Sequence, residues 1–414
     1  MANRKLTADV IANESLMILE NELGILSTFY RPYEDEYDKT VNGYRKGATI
    51  SIRRPADFTI RSGATMDLQD VIEGKVALTV DQQKGVDFKF TSTELTLDIN
   101  DIAERVLRPA ISNLVNEITY DCMSQFLPYV YNYVGTPNTQ VDSFADFFKA
   151  PERMNEMAIP QADRFAILNP NDHAGMLGNL TGLYISEDAK KAYRQGNLGN
   201  IGGLDVYMSQ VVPTQSYGTA DNTTPLVKGA AQQVTYDTAK DTWTQTLNTD
   251  GWDNSATIVA GQVFTIQDCY MVNPKTKRRT TILQQFVVMS DTTAHASGGT
   301  TALTIAPPII TSGPHQTVEF TSDMDDNTIT IIGAASAVYR QNVAFHKNAF
   351  ALAMVPMEMP DAVGDRGSRR SYKGVSVRVI PVYDGVNDIS KWRLDVLYGR
   401  KLIDPRLATR FSGT

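Results

Sequence analysis

The sequence predicts an α+β protein interrupted by a small all-β, barrel-like domain, and three observations predict it. A three-and-four spacing of apolar residues runs from Ile99 to Cys122, the mark of a long amphipathic helix. Alternating runs at Ile50 and Ile52, at Val76, Leu78 and Val80, and at Val375, Val377 and Val379 mark strands with one buried face. Near residue 217 the texture turns Thr-rich and turn-punctuated, and it stays so to about residue 335.

At 414 residues the chain can form two or three modest cores, and 42% hydrophobic with 21% charged residues is an ordinary globular balance. Lys plus Arg number 39 and Asp plus Glu 47, so the net charge is 39 − 47 = −8, the wrong sign for a sequence-independent DNA binder. The two cysteines, Cys122 and Cys269, lack disulfide-framework or zinc spacing and are expected reduced and buried. No apolar run approaches the roughly 20 residues that span a bilayer, so the expectation is a soluble protein made and kept in the cytoplasm.

Residues 1–47 read as an N-terminal arm with an acidic helix over 7–26, where Val10, Ile11, Leu16, Ile18, Leu19, Leu23 and Ile25 form an imperfect stripe with Asp9, Glu14, Glu20 and Glu22 around it. Residues 48–92 hold two strands around a long exposed loop, 53–75, which contains Pro55 and Gly63 and few large apolar side chains to bury. Residues 93–143 carry the long helix, with a bend or break expected at Pro109. Residues 144–216 mix short helices and strands, and a glycine-rich turn, 196–203, leads into a strand at 204–209.

Within 217–335, strand-like runs recur at 258–259, 263–266, 286–289, 303–305, 318–320 and 329–332, the rhythm of a small sandwich or barrel. The α+β texture returns over 336–374, and 375–414 closes with a hairpin whose second strand carries Trp392, Leu394, Val396 and Tyr398. The simplest organisation is an outer domain made from both ends of the chain, with the β-rich segment inserted where its ends meet at the surface.

Chemistry is hard to assemble from these residues. Asp172-His173 follows Pro170 and Asn171, which fits a helix start better than a catalytic pair, and no nucleophile elbow accompanies it. His295, His315 and His346 are isolated, and Gly196, Gly199, Gly202 and Gly203 lack the phosphate-loop ending. Lys275, Lys277, Arg278 and Arg279 beside Asn273-Pro274 read as a basic hairpin tip, residues 365–373 as a mobile basic loop, and Glu34 to Glu36 as a solvated face. Nothing combines nucleophile, base and oxyanion donors, so a structural protein without enzymatic activity or cofactor is expected.

Four ordered stretches carry a resemblance: Gln83-Lys84-Gly85-Val86-Asp87-Phe88; Glu104-Arg105-Val106-Leu107-Arg108-Pro109-Ala110 with Asn113-Leu114-Val115-Asn116; Gly202-Gly203-Leu204-Asp205-Val206-Tyr207; and Asp395-Val396-Leu397-Tyr398-Gly399. With the order of elements they make the chain resemble the coat proteins of the P-twenty-two type of tailed bacteriophage, a family built on the Hong Kong ninety-seven capsid fold. The resemblance implies that 53–75 is an extended loop overlapping a neighbouring subunit, with Arg53, Arg54, Arg61, Asp67, Asp70, Glu73 and Lys75 at the contact. It also implies that 99–126 is the spine helix of a peripheral domain, and that 144–212 with the residues after 341 form an axial domain.

The function so implied is that of a major capsid protein, whose hexamers and pentamers self-assemble into an icosahedral procapsid and then the mature head. Double-stranded DNA would be enclosed without tight binding. Partners would be a scaffolding protein, a portal protein and a decoration protein, with no membrane; the site of assembly would be the host bacterial cytoplasm and the final location the virion. Asp9, Glu14, Glu20 and Glu22 are the candidate scaffold contacts, and Lys277, Arg278 and Arg279 are candidates to meet Asp250 or Asp253 in the inserted domain. Two alternatives are a β-rich surface or glycan binder, motivated by Trp243 and Trp252, and a cargo-enclosing shell on the same fold.

Overall fold

The computed structural model describes residues 8–22, 24–32, 40–41, 44–45, 49–66, 68–91, 106–179, 198–221, 225–360, 367–372 and 375–414. The chain forms two compact units, one from residues 1–51, 77–122 and 350–401, the other from 52–76, 123–349 and 402–414.

The first unit is organised by a sheet in the order Ser368–Tyr372, Val375–Asp384, Ile389–Leu402, Lys75–Thr91, Thr49–Arg53, with Phe350–Val355 also pairing Ile389–Leu402. Sequence pattern placed a strand only over 76–80, yet Lys75–Thr91 runs for 17 residues, antiparallel to Ile389–Leu402. The far half keeps the period of two, with Val86, Phe88 and Phe90 against Asp87 and Lys89; polar Gln82, Gln83 and Lys84 hid the continuity.

The helix Ala8–Glu22 lies on the strands Ser368–Tyr372 and Val375–Asp384, burying Ile11, Ala12, Ser15, Leu16 and Leu19, one helical face. Behind it Phe29 meets Phe350 edge-on at 5.7 Å. The long helix is Arg108–Phe126, burying Ile111, Leu114, Val115, Ile118 and Cys122. Pro109 stands at the N-terminal end of the described α-helix, next to a π turn at 106–107; residues 92–105, where the helix was expected to begin, lie outside the described residues.

In the second unit a six-stranded sheet runs Tyr133–Val134, Ala408–Phe411, Val343–His346, Arg164–Leu168, Leu204–Met208, Asn200–Ile201. The helix Phe144–Glu156 is capped by Ser143 Oγ, which accepts from the Asp146 N–H at 3.1 Å. Gly202 and Gly203, both with positive φ, make the two-residue turn between the last two strands, as a primed hairpin turn demands.

The β-rich segment forms a sheet in the order Leu226–Val227, Gln245–Asp250, Thr301–Ala306, Arg279–Val288, Val263–Val272, with Val318–Phe320 and Ile329–Ile331 both on Val263–Val272. It closes on itself: Leu226 bridges Thr328, the Val227 N–H donates to the Asn327 carbonyl at 3.0 Å, and the Ile329 N–H donates to the Pro225 carbonyl at 2.8 Å. The chain enters through Gln215–Ser216 and leaves through Val338–Tyr339, which pair with each other.

The barrel is fused to the six-stranded sheet. Phe264, Ile266, Phe286, Val288, Leu303 and Ile305 fill the barrel, while Val263, Met271, Val287 and Ala306 join a core with Tyr131, Phe147, Leu204 and Phe411. Neighbours such as Val263 and Phe264 therefore point into different cores, which is why these strands read as unbroken apolar runs. At the seam the Gln285 amide imitates a strand, accepting from the Tyr133 N–H and donating to its carbonyl, both at 2.7 Å.

Arg410 lies in the same seam. Its guanidinium is buried, stands 5.8 Å from the Tyr133 ring and donates from Nη2 to the Gly261 carbonyl at 3.1 Å; Nε and Nη1 have no protein partner among the described residues. A buried charge without a counter-ion is costly, so Arg410→Met is expected to melt no lower than the parent in the unassembled subunit. A midpoint lower by more than about 3 °C would show that the guanidinium contributes more than its desolvation costs.

Candidate assembly surfaces

The loop 54–74 contradicts one expectation directly, because it is not poor in large apolar side chains. Phe58, Ile60, Met66, Leu68 and Val71 are all exposed, Ile60 to 95% and Leu68 to 85%. Its two legs are tied by the Gln69 amide, which donates to the Thr59 carbonyl at 2.7 Å and accepts from the Thr59 N–H at 2.8 Å. Exposed apolar side chains of this size, gathered on one loop, mark a candidate interaction site.

Of the charged residues expected on this loop, Arg53 pairs with Glu73 at 3.3 Å on the surface, and Arg61 Nη1 donates to the Gly63 carbonyl. Asp70 is exposed and Asp67 lies outside the described residues. Arg54 turns inward, donating to the Lys240 carbonyl at 3.3 Å and the Ile403 carbonyl at 3.4 Å, and the backbone N–H of Lys75 donates to Asp241 Oδ1 at 3.0 Å.

On the sheet of the first unit, Phe88, Val382 and Trp392 line an open groove of about 480 Å³, edged by Asp87, Lys89, Lys391 and Arg393. The Trp392 indole N–H is buried without a protein partner among the described residues. Arg393 is half-exposed and pairs with Asp395, Lys391 pairs with Asp384 at 3.1 Å, and Asp87 stands on the same edge, so the rim is mixed in charge and solvated.

Beside the groove the sheet buries a carboxylate. Asp395, 2% exposed, accepts from Arg378 Nη2 at 2.7 Å and from Arg393 Nε at 2.9 Å. On the next strand Gly85 faces it, and a Cβ there would stand 2.7 Å from Asp395 Oδ1 and 2.6 Å from the Leu394 carbonyl oxygen. Two of the stretches that carry the family resemblance thus meet because glycine makes room for the carboxylate. Asp121 of the long helix holds the fourth stretch nearby, accepting from Tyr398 at 2.6 Å and Arg400 at 2.8 Å, and Glu117 pairs with Lys84 of the first at 2.8 Å.

The acidic helix is partly engaged within its own unit: Asp9 accepts from Ser368 Oγ at 2.6 Å and from Arg370 Nη2 at 3.0 Å, and these bonds hold its carboxyl below the ordinary range. Glu14 is half-buried, and the side chains of Glu20 and Glu22 lie outside the described residues. Residues 368–372 are a strand rather than the mobile basic loop expected there, because they pair with Val375–Val379. Residues 34–36 lie outside the described residues.

In the inserted barrel the expected pairing is replaced by another. Lys277, at the tip of the hairpin, meets neither Asp250 nor Asp253 but Asp57 of the loop, at 2.7 Å. Asp250 pairs with Lys228 at 3.2 Å, Asp253 is exposed, Arg278 is exposed, and Arg279 lies 4.9 Å from the Tyr270 ring. Sequence spacing had no means of finding a partner 220 residues away. Trp243 and Trp252, the basis of the glycan reading, are both buried, and Trp252 donates to Thr249 Oγ1 at 2.7 Å.

Asp172 is buried at the start of its helix, accepting from Asn169 at 2.5 Å and Asn342 at 2.6 Å, a structural role as expected. Among the described residues no group of His, Cys, Asp and Glu is arranged to hold a metal, and no helix is long and apolar enough to cross a membrane.

Residues 37–413 match the model of a family described as P22 coat protein, gene protein 5. A protein named major capsid protein, from Acyrthosiphon pisum secondary endosymbiont phage 1, is 22% identical over 383 residues, 89% of each chain. A structure from Mycobacterium phage Che8 is similar with a TM-score of 0.47 and 13% identity, over 94% of this chain and 91% of that one. A virus-like particle from Pyrococcus furiosus has a TM-score of 0.41 and 8% identity, over 98% of both chains.

The Asp395 carboxyl sits below its ordinary 3.8: burial raises it, and the bonds from Arg378 and Arg393 with one from Gln83 more than offset that. A depressed folded pKa contributes stability that is present above 3.8 and lost as pH falls through the folded value. Asp395→Asn is therefore expected to lower unfolding free energy at neutral pH by about 3 kcal/mol, because it strands Arg378. The difference from the parent should shrink in denaturation curves taken at pH values falling below 3.8.

Proposed function

The chain belongs to the P22 coat protein family, and from that premise we propose that it is the major capsid protein of a tailed phage, building an icosahedral head from many copies of itself. The observation that supports this reading best is the loop 54–74, which displays Ile60, Met66, Leu68 and Val71 to solvent and has no core to bury them in. Covering each such side chain is worth about 1.5–3 kcal/mol. A second copy offers the complementary surface, the apolar groove of Phe88, Val382 and Trp392.

Loop and groove are different surfaces, so the contact between copies is heterologous, and a heterologous contact closes into rings when its rotation permits. Hexamers and pentamers are such rings. Within this reading the acidic helix faces a scaffolding protein, a portal complex occupies one vertex, a decoration protein binds the exterior, and a chain of net charge −8 encloses DNA without adhering to it. Assembly takes place in the host cytoplasm and the product is the virion shell.

Replacing Ile60 and Leu68 together by Asp is expected to leave the melting of the free subunit within about 0.5 kcal/mol of the parent, since both side chains are solvated, while shells disappear from sedimentation profiles and electron micrographs. Shells at parental yield would overturn the loop contact. Glu14→Lys, Glu20→Lys and Glu22→Lys in one chain are expected to abolish incorporation of the scaffolding protein, measured by its ratio to coat in purified particles.

A further inference from the structure

The inserted barrel grips the extended loop of its own chain at both roots. On the outgoing leg, Arg54 donates to the Lys240 carbonyl, and its guanidinium lies 5.5 Å from the Trp243 ring. On the returning leg, Gly74 approaches the barrel so closely that a Cβ would stand 2.3 Å from the Lys240 oxygen, and the Lys75 N–H reaches Asp241. Farther out, Asp57 accepts from Lys277 Nζ at 2.7 Å, with both side chains mostly shielded, 24% and 15% exposed.

The turn that receives these roots is itself fixed. Tyr236 stacks on His315 with ring centroids 3.6 Å apart and planes within 11°. Trp243 holds a positive φ of 58°, a conformation that non-glycine residues keep only when their surroundings impose it. Its ring is flanked by Arg54 and, at 5.2 Å, by Arg406, which makes a two-toothed ion pair with Asp404.

We propose that the barrel is a clamp that sets the direction in which the loop leaves its own subunit before any neighbour is met. One contact would leave the loop free to swivel about it. Three contacts, at Arg54, at Gly74 to Lys75 and at Asp57, fix the direction and tie it to the barrel, so a shift of the barrel is transmitted to the loop that reaches the next copy. The inference concerns the free subunit, so its failure and that of the capsid reading are separable.

The test is hydrogen–deuterium exchange on the unassembled full-length chain, read over residues 56–72. Asp57→Lys and Lys277→Asp, made singly, are expected to speed exchange there about tenfold, the loss of one shielded charge-assisted bond. The double swap is expected to return it to within about twofold of the parent. Gly74→Ala, at the other root, is expected to speed exchange over the same residues with the ion pair untouched. Exchange that is already as fast in the parent as in the single variants, or a folded double swap that fails to slow it, would overturn the clamp.

Discussion

The loop 54–74 carries more large apolar surface than it can bury against itself, and much of the rest of the structure answers to that constraint. Its legs share the Gln69 to Thr59 side-chain amide bridge and, at the root, a backbone bond from the Arg54 N–H to the Gly74 carbonyl at 2.8 Å, in place of a longer strand ladder. Such a loop is stable only if something else holds it, and two kinds of surface are available: the barrel of its own chain at the roots, and another copy at the tip. Charged and shielded contacts serve the roots, where direction matters. Apolar, exposed side chains occupy the tip, where the partner is a second molecule and each contact must remain reversible while a shell closes.

A clamp is only as firm as its mounting, and the barrel is mounted by core rather than by tether. Val263, Met271, Val287 and Ala306 contribute to the core of the six-stranded sheet, and the Gln285 amide completes hydrogen bonds of the Tyr133 backbone. The seam also contains polar groups that add little stability, above all the buried Arg410. A polar seam costs stability and restricts how two surfaces can dock, since only one registry satisfies Gly261, Gln285 and Tyr133 together.

Much of this was legible in the sequence, and what was not follows from distance. Elements with strong periodicity appeared among the described residues: the helix from Ala8, the part of the long helix from Arg108 on, the closing hairpin and most barrel strands. Gln245–Asp250 went unseen because a single leucine among polar residues gives no alternation, although its Gln245, Leu247 and Thr249 all face inward. The resemblance rested on Gly85 and on Asp395 without a reason for either; the reason is a contact between strands more than 300 residues apart. Lys277 read as a solvated tip charge because Asp57 is remote in sequence, and the loop read as polar because Phe58, Ile60, Met66, Leu68, Val71 and Ile72 are interleaved with charged and polar residues.

Magnitudes decide whether a neighbour could order the loop unaided. Fixing about twenty residues costs on the order of 20 kcal/mol or more in backbone entropy. Covering Phe58, Ile60, Met66, Leu68 and Val71 returns about 8–15 kcal/mol, and association itself consumes several more. A loop disordered in the free subunit would therefore be a poor assembly element, whereas one held at its roots has met much of the cost during folding and presents its tip already aimed. The remaining gain per contact is small, and that suits a shell: weak contacts allow a misplaced copy to leave, and closure multiplies them into a stable particle.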